Sequence, residues 1–202
     1  MSNDFKRIPY GISSFKQVRE EGLYLVDKSM FFEQLELAGN FFYIVRPRRF
    51  GKSLFLNMLE AYYDINEKDN FDKLFAGLYV ADHPTGNRNK YLVIHLDFSQ
   101  IQGDVDLIAE NLNIYLTNQC NLFALKYKQF YPAELTQLLQ QATTGSSKLN
   151  LIGNLSRQLG IRLYLIVDEY DNFTNDVLNT KGQQAYHELT HGTGIYRELF
   201  KK

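Results

Sequence analysis

The chain has 202 residues, 45% of them hydrophobic, and a formal net charge of −1. That length and hydrophobic fraction suit one soluble globular core, and near-neutrality removes any global argument for a nucleic-acid or anionic-membrane partner. A single cysteine, Cys120, excludes an intrachain disulfide framework, and neither a signal-peptide segment in MSNDFKR nor an apolar run near the ~18 residues of a membrane span is present, so the expected location is cytoplasmic.

Residues 1–40 read as a lead-in. Pro9, Tyr10 and Gly11 carry turn chemistry, and residues 15–21 fit one or two helical turns. Asp27 or Ser29 is placed to cap a helix carrying Met30, Phe31, Leu35 and Leu37, which stops near Gly39 and Asn40. The run FFYIV (41–45) is wholly apolar, as in a strand buried on both faces. Pro47 bars regular structure after it. Gly51, Lys52 and Ser53 follow, and apolar residues recur at Phe55, Met58, Leu59 and Tyr62, a helical spacing.

Strand, tight loop, GKS and helix is the context of a phosphate-binding loop, the Walker A motif. Backbone N–H groups at the helix N-terminus hold anionic oxygens, Lys52 reaches the outer phosphates, and the Ser53 hydroxyl ligates Mg²⁺. The candidate nucleotide-binding residues are Arg46, Pro47, Arg48, Arg49, Phe50, Gly51, Lys52, Ser53 and Leu54. Arg46 stands where the pattern has its first glycine. Arg46, Arg48 and Arg49 offer charge-assisted contacts to phosphate in its place. The competing reading is a basic loop that caps a core helix.

Residues 64–89 are polar and broken by Gly77, Pro84 and Gly86, with a short helix expected around Phe71, Leu74 and Phe75. YLVIHLD (91–97) is a second strand, apolar enough for a parallel sheet covered on both faces. Asp97 and Ser99 lie at its C-terminal end, where ligands of open α/β sheets bind, and His95 within it reads as a core residue. Gly103 and Asp104 open a long helix with Ile108, Leu112, Tyr115, Leu116 and Phe123 inward, and Cys120 on the same pattern reads as a core thiol. Pro132 suits the first turn of another helix, with Leu135, Leu138, Leu139 and Ala142 inward. Ser146 or Ser147 caps a third, with Ile152, Leu155 and Leu159 inward and Gly160 past its end.

IRLYLIV (161–167) is the third strand, closed by Asp168 and Glu169. An apolar strand ending in Asp-Glu is the Walker B half of a nucleotide site. Asp168 assists the Mg²⁺ through water, and Glu169 orients and polarises the attacking water as catalytic base. Asp171 adds a carboxylate with no assigned role. HELTH (187–191) matches the pattern in which His187 and His191 grip zinc with Glu188 as general base. Gly192 and Gly194 follow at once, which favours a polar helix end instead.

KRIPYGISSF (6–15), YLVDKS (24–29), RPRRFGKSLFLNML (46–59), VIHLDFS (93–99), DEYDNF (168–173) and LTHGTGIYR (189–197) together resemble the AAA-ATPase-like domain of bacterial and archaeal proteins. That domain commonly precedes a nuclease-like domain of the PD-(D/E)XK type. The resemblance runs in order over nearly the whole chain, and in the family too the arginine-rich loop lacks its first glycine. It implies an α/β fold, a three-layer P-loop NTPase-like parallel sheet flanked by helices. Residues 1–202 are then a single such domain, incomplete at the C-terminus, with the nuclease-like domain absent and nucleic acid a partner only through that domain.

The implied activity is Mg²⁺-dependent ATP hydrolysis by a bacterial hydrolase, coupled to a process the sequence does not name. The alternatives are a nucleotide-binding or interaction module without turnover, and a zinc peptidase using residues 187–191. The P-loop division with a glutamate beside the metal aspartate has one more strand between the GKS and Asp-Glu strands, expected here after Lys202. Weak turnover and self-association through unpaired strand edges are therefore expected.

Overall fold

The computed structural model describes residues 5–45, 47, 49–101, 107–170, 178, 180, 182–184 and 187. It is an α/β structure with a two-stranded parallel sheet and many helices. The chain divides into two units, Met1–Val93 and Ile94–Lys202.

The first unit carries α1 (Phe15–Glu20), α2 (Phe31–Leu37), α3 (Lys52–Tyr63), α4 (Phe71–Phe75) and α5 (Tyr79–Asp82). Its core is aromatic. Phe32 of α2 meets Tyr62 at 4.7 Å and Phe55 at 5.9 Å between ring centroids, and Phe75 of α4 meets Phe15 of α1 at 5.0 Å. Tilted and edge-on pairs at these distances add to the burial of large rings. The expected apolar positions of α3, namely Phe55, Met58, Leu59 and Tyr62, are all buried. The far end of α3 is tied to Tyr91, since the Tyr91 N–H donates to the Tyr63 carbonyl at 3.0 Å and the Ile65 N–H to the Tyr91 carbonyl at 2.9 Å. Arg19 of α1 donates to the Leu74 and Ala76 carbonyls, each at 2.6 Å, and so closes the C-terminus of α4.

Three expectations in this unit are corrected. Neither Asp27 nor Ser29 caps α2, whose N-cap is Met30. The Asp27 carboxylate and the Ser29 hydroxyl instead accept the Tyr79 and Val80 N–H groups, the first two of α5. Those donors have no partner in so short a helix and draw acceptors from elsewhere in the fold. On α2 the buried ring is Phe32, while Met30, Phe31 and Leu37 are exposed, because two turns bury only the face that meets α3.

The third correction is larger. Residues 41–45 form no strand, and Phe41, Tyr43 and Val45 are exposed while Phe42 and Ile44 are half-buried. The sheet among the described residues contains only β1 (Leu92–Asp97) and β2 (Leu163–Asp168). Apolar composition alone does not make a strand, since a strand is defined by the backbone pairing it adopts.

β1 begins in the first unit and runs into the second. Leu92, Val93, Ile94 and Leu96 are buried, as the sequence leads one to expect, and His95 is half-buried. β2 starts two residues later than expected and is less covered, with Ile166 and Asp168 buried and Leu165 exposed.

The second unit adds α6 (Ile108–Lys126), α7 (Leu135–Gln141) and α8 (Gly145–Gln158). The expected opening of α6 at Gly103 and Asp104 lies outside the described residues. α6 buries Leu112, Tyr115, Leu116, Cys120 and Phe123. α7 starts at Leu135 rather than at Pro132, whose carbonyl accepts the Leu135 N–H at 3.1 Å in the preceding turn. The cap of α8 is Thr144, not Ser146 or Ser147; its hydroxyl accepts the Ser147 N–H at 3.1 Å. Leu159 sits past the last turn of α8 and is exposed, while Ile152 is inward as expected. At the start of α8 a Cβ on Gly145 would lie 2.4 Å from Leu116 Cβ and 2.8 Å from the Asn113 carbonyl oxygen. Glycine is what lets α6 and α8 approach so closely. No helix among the described residues is long and apolar enough to cross a membrane.

Candidate functional site

The GKS segment sits where a loop turns into a long helix. The Phe50 N–H donates to the Pro47 carbonyl at 3.3 Å and closes a turn. Gly51 is the N-cap of α3 in the left-handed conformation, φ +72° and ψ +33°. A side chain resists that conformation, and Gly51 offers the amide donors of the first turn no capping side chain. Lys52, Ser53 and Leu54 make up that turn and are half-buried, while Pro47, Arg49 and Phe50 are exposed. Asn57 Nδ2 donates to the Ser53 carbonyl at 2.9 Å and steadies the turn. Arg46 and Arg48 lie outside the described residues.

One residue near this loop was not singled out by sequence reasoning. Lys28 Nζ donates to the Phe50 carbonyl at 3.3 Å and lies 3.8 Å from the point where a Cβ on Gly51 would stand. YLVDKS carries no local signal for this, because the contact spans 22 residues.

In the second unit, Asp168 ends β2 and is only 4% exposed. Its Oδ1 accepts the Glu169 N–H at 2.9 Å. Glu169 is half-buried and also left-handed, φ +51°. Asp97 ends β1 on the same edge of the parallel sheet, and its carboxylate closes its own turn. Oδ1 accepts the Ser99 N–H at 3.0 Å and the Ser99 hydroxyl at 2.7 Å, and the Asp97 N–H donates to the Tyr115 hydroxyl at 2.7 Å. Burial pushes the Tyr115 phenol up to about 12, so it stays neutral.

Among the described residues, the non-glycine positions with positive φ are Arg49, Asn89 and Glu169. Asn tolerates that region, and Asn89 Nδ2 is tied to the Asp64 carbonyl at 2.8 Å. The other two are residues that the sequence assigns to phosphate binding and to catalysis. A left-handed residue with a Cβ is disfavoured by about 1–2 kcal/mol, and such strain collects at functional positions.

The Ser53 hydroxyl in the first unit and the Asp168 carboxylate in the second are each hard oxygen groups, the donor type that Mg²⁺ prefers. No group of three or more His, Cys, Asp and Glu side chains able to hold a metal occurs among the described residues. His187 is helical and exposed; Asp171, Glu188 and His191 lie outside the described residues. Cys120 is buried, with its Sγ 3.9 Å from the Gly145 carbonyl oxygen, and burial raises its thiol to about 12. A thiol held so far from ionisation is a packing group and not a nucleophile.

A curated protein from Azotobacter chroococcum mcd 1, described as "Uncharacterized protein in vnfD 5'region", is 32% identical over 169 residues. The alignment covers 82% of this chain and 29% of that protein, so the chain spans less than a third of the relative's length. No solved structure matches the chain. The family model described as Predicted AAA-ATPase matches residues 9–202, across both units, and the chain belongs to that family.

Proposed function

We propose that residues 1–202 are one P-loop ATPase domain, with 1–40 as its lead-in, of the three-layer kind in which helices flank a parallel sheet. It binds ATP with Mg²⁺ and hydrolyses it. The observation that carries this reading is Gly51, left-handed at the N-cap of an α3 whose other end is anchored at Tyr91, the residue before β1. Amide donors and the positive end of the helix dipole then face one point, which suits a phosphate chain. Lys52 offsets charge on the outer phosphates, and Arg46, Arg48 and Arg49 add charge around them. Ser53 would hold Mg²⁺ and Asp168 would assist it through water, and the ion would supply positive charge to the phosphates. Glu169 takes the proton of the attacking water, and the fixed bond from its N–H to Asp168 sets the start of its side chain.

Calorimetry with ATP·Mg²⁺ and phosphate release on the same samples test the assignment. Lys52→Ala should weaken binding by tenfold or more, roughly the loss of one charged hydrogen bond. Glu169→Gln should keep binding and lose about 10²–10⁴ in turnover, the usual contribution of a general base. Unchanged affinity in Lys52→Ala would refute the loop assignment, and full turnover in Glu169→Gln would refute the base.

A further inference from the structure

The segment Asp27–Lys28–Ser29 is held on both sides by bonds that do not involve Lys28. Asp27 accepts the Ser29 N–H at 2.8 Å through Oδ1 and the Tyr79 N–H at 2.7 Å through Oδ2. The buried Ser29 hydroxyl accepts the Val80 N–H at 3.1 Å. Both flanking side chains therefore dock on the first turn of α5, and the backbone between them has little freedom. What this arrangement delivers is the Lys28 ammonium, half-buried, to the Phe50 carbonyl at 3.3 Å and to within 3.8 Å of the space above Gly51.

An ammonium brought to that place from outside the loop adds charge beside the first turn of α3. A neutral carbonyl at 3.3 Å is a modest acceptor, and an anionic phosphate oxygen is a stronger one. The sequence also has Arg46 where the phosphate-binding pattern has its first glycine, a charged side chain in place of none.

We propose that Lys28 is a second phosphate-binding lysine, which moves from the Phe50 carbonyl to the β/γ-phosphate oxygens of a bound nucleoside triphosphate, with Asp27 and Ser29 as the residues that position it. The proposal rests on the reading of the 46–54 loop as a nucleotide site, and it deepens that reading by making triphosphate recognition depend on a residue outside the motif.

The test is calorimetric titration of the parent chain and of Lys28→Gln, Lys28→Arg and Lys52→Ala with ATP·Mg²⁺, ADP·Mg²⁺ and AMP, alongside thermal unfolding without ligand. Gln keeps a donor without the charge, and Arg keeps the charge. Lys28→Gln should weaken ATP by about ten- to a hundredfold, ADP less and AMP hardly at all. Lys28→Arg should retain most of the ATP affinity, with both unfolding midpoints near that of the parent. If Lys28→Gln binds ATP like the parent while Lys52→Ala does not, Lys28 has no phosphate role and the loop assignment stands. An equal loss for all three nucleotides, or a lowered midpoint that Arg does not rescue, makes Lys28 a loop brace and overturns the proposal. A parent chain that binds none of the three removes the nucleotide reading itself, and this inference with it.

Discussion

Two apolar stretches flank the candidate phosphate loop, and they end in opposite environments. Downstream, α3 buries Phe55, Met58, Leu59, Tyr62 and Tyr63 to 3% exposure or less. Upstream, residues 41–45 leave Phe41, Tyr43 and Val45 74%, 81% and 89% exposed. Hydrophobicity does not separate the two, since both are rich in large apolar and aromatic residues. The source of their backbone hydrogen bonds does. A helix satisfies its interior amides within itself, so α3 needs only a surface to pack on, and α1, α2 and α4 provide one. A strand depends on bonds from a neighbouring strand, and among the described residues the sheet consists of β1 and β2.

The sharpest way to break this comparison is to remove the ring at the centre of the packed side. Phe32 is fully buried and lies within 6.2 Å of the Tyr62, Phe55 and Tyr63 ring centroids. Phe32→Ala should lower unfolding free energy by about 3–5 kcal/mol, the transfer loss plus a cavity. Its neighbour Phe31, 41% exposed, should lose far less on the same change. Denaturant midpoints of the two variants measure the difference, and equal losses would show that Phe31 is packed as tightly as Phe32.

A smaller effect is expected from pH. The Tyr62 phenol is raised above its ordinary 10.0, mainly because burial disfavours the phenolate, with the hydrogen bonds to Thr85 opposing. A neutral form favoured by the fold contributes stability that is complete below the unfolded value and is lost as pH rises through the folded one. Stability should therefore hold up to pH ~10 and fall above it, following the tyrosine reference value. Tyr115 and Tyr131 shift in the same direction, again chiefly through burial, so Tyr62→Phe should flatten the alkaline loss only in part. Far-UV circular dichroism against pH for the parent and Tyr62→Phe reads this directly, and an unchanged slope would remove Tyr62 as a contributor.

The same contrast explains what the sequence could and could not foretell. α3 was legible because its signal is local, with a glycine at the cap and apolar residues on one face. α4 was legible for the same reason, from Phe71, Leu74 and Phe75. β1 and β2 are legible as apolar runs, though β2 starts two residues after its apolar run does. The roles of Asp27, Ser29 and Lys28 were not legible. Their partners Tyr79, Val80 and Phe50 lie 22 to 52 residues away, and no spacing rule reaches that far. At the start of α8 the sequence is ambiguous: Thr144, Ser146 and Ser147 are all competent caps, and the structure uses the first. Of the candidate site, residue types and order were legible, but the strain at Arg49 and Glu169 was not, because positive φ at a residue with a Cβ has no sequence signature.

The smallest expected effect is the most discriminating for the upstream run. Val45 precedes the arginine-rich loop and is 89% exposed. If 41–45 were a strand buried on both faces, Val45→Lys would put an unpaired ammonium into a core and cost several kcal/mol, as burying an unpaired charge does. With Val45 exposed, the introduced ammonium would project into water, and the change in unfolding free energy should stay within about 0.5 kcal/mol. A second readout comes from association. An exposed run of Phe, Tyr and Val is a surface on which copies of the chain can pair, and a charge there opposes pairing. If the parent self-associates through this run, Val45→Lys should lower its solution mass by light scattering while its denaturant midpoint stays put. A monomeric parent, or association untouched by Val45→Lys, would exclude this run as the contact. A large loss of stability would mean that 41–45 is a buried strand after all, and that the contrast with α3 is one of degree.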